Sequence, residues 1–317
     1  MRRQSRRSKR VADSRDRVVA FAVPATSRNP DPIDHLLALD PGGRGIAGFF
    51  VTGGALSAAR ALLGAERVLI ATGFLVAEGM PETDGPPGAA VLGRALRRLG
   101  ASVRYTSDPA VLPVLEASLK TLAEPIDVFA YPGGPDAARD VLASEAPTHL
   151  IGIERPGRGH EGDYLNARGV SVAAWNLPLD EMFVRARRAR RPITIGVGDG
   201  GNEIGMGCVR GRLAREGALM ARIACVVSVD HLVVAGVSNW GAYGIVAQLG
   251  RLTGQTLLHT PAEERKLIDA CVGAGASDGL TRRREPTVDA LDADTHAAVV
   301  ALLGLSWGHV SRRGERA

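Results

Sequence analysis

The ten residues from Gly198 to Gly207, GDGGNEIGMG, combine five glycines with Asp199, Asn202 and Glu203 on one short stretch. Glycines let a backbone turn tightly and approach a ligand closely. The two carboxylates suit a cation, an ammonium group or a phosphate bridged by a metal, and they argue against a bare phosphate, which backbone N–H groups would receive. The stretch follows the β-branched run Pro192-Ile193-Thr194-Ile195. A polar loop at the carboxyl end of a strand is where open parallel sheets hold their ligands.

Other polar segments follow strand-like runs in the same way. Thr72-Gly73-Phe74 and then Glu82 to Gly88 come after Val68–Ala71, Glu154 to Arg158 after His149–Ile153, and Ser238 to Gly241 after Leu232–Ala235. Each has a plain structural use: a turn with a proline helix start, a local ion pair, and a helix cap. Gathered at one sheet edge, they would line a cleft. The arginines Arg187, Arg188, Arg190 and Arg191 read as a solvated helix end, where cations oppose the helix dipole. Gly196, Gly198 and Gly201 also satisfy GxGxxG, with Asp230 as a ribose-binding acid, which is the pattern of a nucleotide- or NAD-dependent enzyme.

The elements that must carry these loops alternate. Strands are expected at Val68–Ala71, Val103–Tyr105, Ile126–Phe129, His149–Ile153, Ile193–Ile195, Cys225–Val229 and Leu232–Ala235. Helices fit Gly54–Leu63, Val91–Leu99, Pro109–Leu122, Pro135–Ser144, Pro178–Arg188, Ala242–Leu252, Pro261–Cys271 and Thr295–Leu305, several opening at proline. Nearly continuous apolar strands between amphipathic helices imply a three-layer, Rossmann-like α/β fold: a mostly parallel sheet with helices on both faces. One domain is expected over residues 18–310, between a disordered basic arm, 1–17, and a disordered basic tail, 311–317.

The sequence pI of about 9.5 comes from those ends. The arm carries +6 and the tail +2; subtracted from the formal +5, they leave the body at −3. No specific nucleic-acid partner is therefore expected. No apolar stretch approaches the roughly 20 residues that span a bilayer, and the start lacks a secretory apolar segment, so a cytoplasmic protein without membrane contact is the expectation. Cys208, Cys225 and Cys271 form no metal-binding spacing and read as reduced thiols.

Pro81-Glu82-Thr83-Asp84-Gly85-Pro86-Pro87-Gly88-Ala89, Ile153-Glu154-Arg155-Pro156-Gly157-Arg158, the GDGGNEIGMG loop, Val237-Ser238-Asn239-Trp240-Gly241 and Ala276-Ser277-Asp278-Gly279 occur in that order. On these strings the chain resembles the D-glutamate cyclase family, in its C-terminal domain, over roughly residues 40–291. The resemblance implies a hydro-lyase that cyclises D-glutamate to 5-oxo-D-proline, or runs the reverse hydrolysis. The family's other domain is not in this sequence, which leads us to expect a separate protein supplying its equivalent, and leaves room for a homo-oligomer.

Such a reaction needs a folded substrate, removal of a proton from the amine and neutralisation of a carboxylate oxygen. Arg155 would hold the α-carboxylate in a bidentate fork, with Thr83 and Ser238 as further substrate contacts. Asp199 or Glu203 would bind the ammonium and act as base; Glu154 or Asp84 would be the acid for departing water. Asn202, Asn239 and the glycine-loop N–H groups would stabilise the oxyanion. No organic cofactor is called for. Mg²⁺ or Mn²⁺ on Asp84, Glu154, Asp199 and Glu203 is the competing device. A non-catalytic binding module for acidic amino acids is the other alternative to the nucleotide-dependent enzyme.

Overall fold

The structure, a computed structural model, describes residues 31–314, with side chains as far as residue 306. The arm expected at 1–17 and the expected domain start at residue 18 lie outside the described residues. Six strands form one parallel sheet: β1 Arg67–Thr72, β2 Ser102–Ser107, β3 Val128–Ala130, β4 His149–Ile153, β5 Ile193–Gly198 and β6 His231–Val234. Their order is β3-β2-β1-β4-β5-β6. The chain therefore winds outward from β1 in one direction, then returns to β4 and winds in the other. Such a reversal leaves a crevice at the carboxyl ends of the two central strands.

Strand residues alternate between two cores. Val68 and Ile70 of β1 face one cluster, joined by Ile151, Ile195 and Val233. Leu69 and Ala71 face another, joined by Leu150, Leu232 and Val234. The first cluster is covered by α1 Pro32–Leu37, α2 Gly54–Leu62, α3 Pro86–Arg98, α4 Leu112–Thr121, and by α7 Ser238–Thr253, α8 Pro261–Gly273 and α9 Ala293–Gly314. The second is covered by α5 Ala137–Glu145, α6 Asp180–Ala189 and the segment that runs on from the glycine loop. This is the expected three-layer arrangement, with alternate strand residues feeding opposite faces.

Local sequence chemistry starts several of these helices. α3 and α8 carry proline in their first turn, and Thr260 with Glu263 closes a capping box on α8. Three expectations differ from the structure. Cys225–Val229 is not a strand of the sheet, because its backbone is taken by the glycine loop: Cys225 N donates to Gly201 O at 2.9 Å, and Gly205 N to Val227 O at 3.0 Å. α7 begins at Ser238 rather than Ala242, so Ser238 to Gly241 are its first turn. α9 runs as far as Gly314, so the expected tail at 311–317 falls partly within a helix and otherwise outside the described residues.

Asn239 ties two helix beginnings together. Its Oδ1 accepts from Gly85 N at 3.0 Å and Gly88 N at 2.8 Å, both at the start of α3, and its Nδ2 donates to Thr83 O at 3.3 Å. All of these groups are buried, so a truncated side chain would strand donors away from water. Asn239→Ala should cost about 2–4 kcal/mol in denaturant unfolding. A loss below about 0.5 kcal/mol would contradict this tie.

Candidate active site

Four connections leave the carboxyl edge of the sheet and converge. Glu82 to Gly85 lie between β1 and α3; Glu154 follows β4 directly; Asp199 follows β5 directly; Ser238 opens α7 after β6. Glu154 holds a left-handed φ of 42°, a strained conformation of the kind found at ligand sites. Gly85, at φ 98°, allows that close approach, since a Cβ there would sit 2.9 Å from Glu154 Cβ. The sequence-expected carboxylates Asp84, Glu154, Asp199 and Glu203 do come together, and all are buried.

Two groups of ligand-like oxygens share Asp199. Asp84, Asp199 and Asp289 each place an oxygen within 4.8 Å of the others, as do Glu154, Asp199 and Glu203. Glu82 lines the same cleft. Among the described residues, the cation paired with these six carboxyl groups is the half-buried Arg44, which reaches Asp199 Oδ2 at 2.5 Å through Nη1 and Asp289 Oδ1 at 2.8 Å through Nη2; Arg168 and Arg282 line the cleft farther out. Arg44 is aimed by Asp40, whose carboxylate accepts from the backbone N of Arg44 at 2.9 Å and of Gly45 at 2.7 Å.

Like charges this close cannot all ionise cheaply. Burial first, and then neighbouring negative charge, pushes Glu82, Asp84 and Glu154 well above the usual carboxylate range. Burial raises Asp199 from 3.8 to about 6 and Asp289 from 3.8 to about 7, with Arg44 pulling both back. Glu82 Oε1 and Asp289 Oδ2 are buried with no hydrogen-bond partner among the described residues. The cluster is thus short of positive charge and of hydrogen-bond donors, and its hard oxygen set fits Mg²⁺ or Mn²⁺.

Each carboxylate has a different task. Asp84 caps α7 from outside that helix: Oδ2 accepts from Ser238 N at 2.9 Å and Oδ1 from Asn239 N at 2.8 Å. Glu203 braces its own loop, accepting from Gly200 N at 2.7 Å and Gly201 N at 2.8 Å. Ser238 Oγ donates to Glu154 at 2.6 Å. Asp199 and Asp289 face Arg44.

Several assignments made from sequence are corrected by these contacts. Arg155 does not face the cleft. It is fully buried, pairs with Asp108, and donates to Gly73 O at 2.9 Å and Leu177 O at 2.7 Å, so no fork remains for a substrate carboxylate. The Asn239 amide is spent on α3, and Thr83 Oγ1 donates to Thr287 O at 2.8 Å. Neither lines the cleft. The Gly200 and Gly201 N–H groups are taken by Glu203, so they do not form an oxyanion hole. Asn202 does line the cleft, although its Nδ2 already donates to Leu165 O at 2.8 Å.

The dinucleotide pattern also fails in space. A Cβ on Gly196 would meet Ile204 O at 2.5 Å, so the loop is folded on itself rather than open to a pyrophosphate. Asp230 sits at the opposite, amino edge of the sheet, accepting from Thr194 N at 2.8 Å and Oγ1 at 2.7 Å.

Sequence reasoning gave no role to Arg44, Glu82 or Asp289. Glu82 lay inside the Pro81–Ala89 string, and the Asp-Pro-Gly-Gly-Arg-Gly turn at 40–45 was a signal for Arg44. Asp289 had none. It sits with Ala290 at the tip of a small hairpin, Thr287–Val288 against Leu291–Asp292, with positive φ at both tip residues. Asp278 shapes that segment, its Oδ2 accepting from Thr287 Oγ1 and Ala290 N, each at 2.7 Å.

Residues 33–304 match the family model described as "D-glutamate cyclase-like, C-terminal". The chain belongs to this family. It is 32% identical over 276 residues to the human protein named "D-glutamate cyclase, mitochondrial", covering 82% of this chain and 44% of that relative. The chain thus spans less than half of the relative's length. Among solved structures, exonuclease RecJ bound to manganese is similar at a TM-score of 0.39 and 12% identity, covering 78% of this chain and 46% of that one. RecJ with Mn²⁺ from Thermus thermophilus scores 0.37 at 13% identity, covering 89% and 40%. Among the described residues of this family member, no helix is long and apolar enough to cross a membrane.

The raised carboxyls give the site a pH signature. Asp199 and Asp289 bind protons more tightly folded than unfolded, so their stabilising contribution is complete below 3.8 and is lost as pH rises through about 6 and about 7. In metal-free buffer the thermal midpoint should fall between about pH 5 and about pH 8, and Asp289→Asn should flatten that fall. An unchanged slope in a folded variant would contradict the assignment.

Proposed function

We propose that this protein interconverts D-glutamate and 5-oxo-D-proline, as a hydro-lyase. The observation that carries the reading is the convergence of Asp199, Asp289, Glu154 and Arg44 in one cleft whose carboxyl groups outnumber its arginines, in a chain of the D-glutamate cyclase-like family. An ammonium group supplies the missing positive charge, and the carboxyls that receive it hold protons near neutrality, as acid–base catalysis requires.

In this mechanism the substrate is bound folded, its amine near its own γ-carboxyl carbon, which removes much of the entropic barrier. Asp199 accepts a proton from the ammonium. The freed amine attacks the γ-carbon, closing a five-membered ring and creating a tetrahedral centre. Glu154, kept protonated by burial and by its neighbours, donates to the departing oxygen. The nitrogen loses two protons and the leaving oxygen gains two, so lactam and water form with no net proton change.

Arg168 and Arg282, on the cleft wall, take the α-carboxylate in place of Arg155. Arg44 keeps Asp199 and Asp289 apart while balancing one charge. Glu203 and Asp84 position the glycine loop and α7 and do not transfer protons. Asp84, Asp199 and Asp289, or Glu154, Asp199 and Glu203, would hold a divalent ion, which when bound supplies Lewis-acid polarisation of the γ-carboxyl.

The test incubates purified protein with D- and L-glutamate and both 5-oxoproline enantiomers, with and without Mg²⁺ or Mn²⁺, following products by chiral chromatography. Interconversion confined to the D series is expected. Binding of D-glutamate without turnover in any condition would favour the binding-module alternative and end the enzymatic reading. Asp199→Asn should lower kcat by about 100-fold or more, whereas Arg155→Met should act chiefly on stability, at about 3–5 kcal/mol, by leaving Asp108 buried and unpaired.

A further inference from the structure

At the amino edge of the sheet, opposite the acid cleft, lies a groove of about 770 Å³. Five arginines line it from separate parts of the chain: Arg67 at the start of β1, Arg139 on α5, Arg185 on α6, and Arg190 and Arg191 on the link into β5. No Asp or Glu lines it among the described residues. The sequence alone makes Arg190 and Arg191 a solvated helix end. The fold sets them, with Arg185 of the same helix, beside two cations that are distant in sequence, Arg67 and Arg139.

The arginines available here are weakly engaged. Arg139 pairs with Asp136 and Asp140, and Arg67 with Glu66 at 3.6 Å, through exposed carboxylates that exchange readily with solvent ions, whereas Arg185 pairs with the half-buried Glu181 at 3.2 Å and Arg67 Nε also donates to Ala146 O at 2.8 Å. Arg190 and Arg191 make no ion pair among the described residues. Beneath the cations the groove is apolar, with Leu142, Pro147 and a 39%-exposed Ile193. His149 adds little charge, since burial lowers its pKa.

Guanidinium groups are suited to phosphate because two parallel N–H donors match two phosphate oxygens, and their flat faces stack on rings. The volume falls within the range of small-molecule sites. The body outside the basic ends is net acidic, at −3, so the arginines of this groove are concentrated against the overall charge of the body. We propose that the groove binds a nucleoside polyphosphate, with phosphates on the arginines and the base on the apolar floor. The site is separate from the acid cleft and does not depend on the cyclase reading.

The experiment titrates ATP into the full chain by calorimetry with excess EDTA, which removes metal-bridged binding at the acid cleft. Tripolyphosphate, adenosine and a short single-stranded oligonucleotide serve as comparisons. Saturable binding of one ATP is expected, weakened by salt, and weakened at least about tenfold by Arg190→Glu with Arg191→Glu, as loss of charge-assisted hydrogen bonds requires. Arg139→Glu, an exposed change on α5, should weaken it in the same direction and covers misfolding of the double variant. Tripolyphosphate should bind more weakly than ATP, and adenosine more weakly still. Absence of saturable ATP binding, ATP affinity unchanged in both folded variants, or an oligonucleotide binding the groove more tightly than ATP would each overturn the proposal.

Discussion

Six carboxyl groups buried around one arginine are the condition to which the rest of this molecule answers. In a low-dielectric setting, charges of one sign repel strongly and each loses its hydration, so the cluster persists only with protons, donors or cations to balance it. Arg44 supplies one charge, shared between Asp199 and Asp289. Burial and neighbouring negative charge push Glu82, Asp84 and Glu154 well above the usual carboxylate range, which eases the repulsion further. The imbalance that remains is of the sign that a cationic group would relieve.

The scaffold around the cluster is correspondingly rigid. Asp84 and Asn239 exchange caps between α7 and α3, so that each helix start is held by a side chain belonging to the other's segment. Glu203 ties the glycine loop to itself, and that loop is in turn paired with the Cys225–Val229 segment. Asp278 shapes the segment whose tip presents Asp289. Arg155, fully buried, fastens the β1 and β4 connections to Asp108 at the end of β2. Removing one member of such a pair leaves the other buried and unpaired, which is why these residues resemble catalytic ones in a sequence while acting as braces.

Much of the architecture is legible in the sequence, because strand and helix periodicities are local. Val68–Ala71, His149–Ile153 and the helix at Gly54 appear within a residue or two of where their patterns predict them. Cys225–Val229 has the composition of a strand but pairs with a loop, since composition does not specify which backbone will meet it. The polar strings that follow strands mark the cleft for the same local reason: in a wound parallel sheet, strand ends on one edge share a neighbourhood whatever their spacing along the chain.

The sequence by itself therefore determined the layered α/β class and pointed to four carboxylates, Asp84, Glu154, Asp199 and Glu203, that the fold brings to one sheet edge. Tertiary structure decided which polar side chains face the opening and which are turned inward. Arg44 enters from before the first strand and Asp289 from near the last helix, while Arg155, beside Glu154 in sequence, points the other way to Asp108. The physical reason is that side-chain direction on an irregular loop depends on partners brought from distant segments. Local pattern records how a backbone repeats, and carries no information about which charge will be waiting across the crevice.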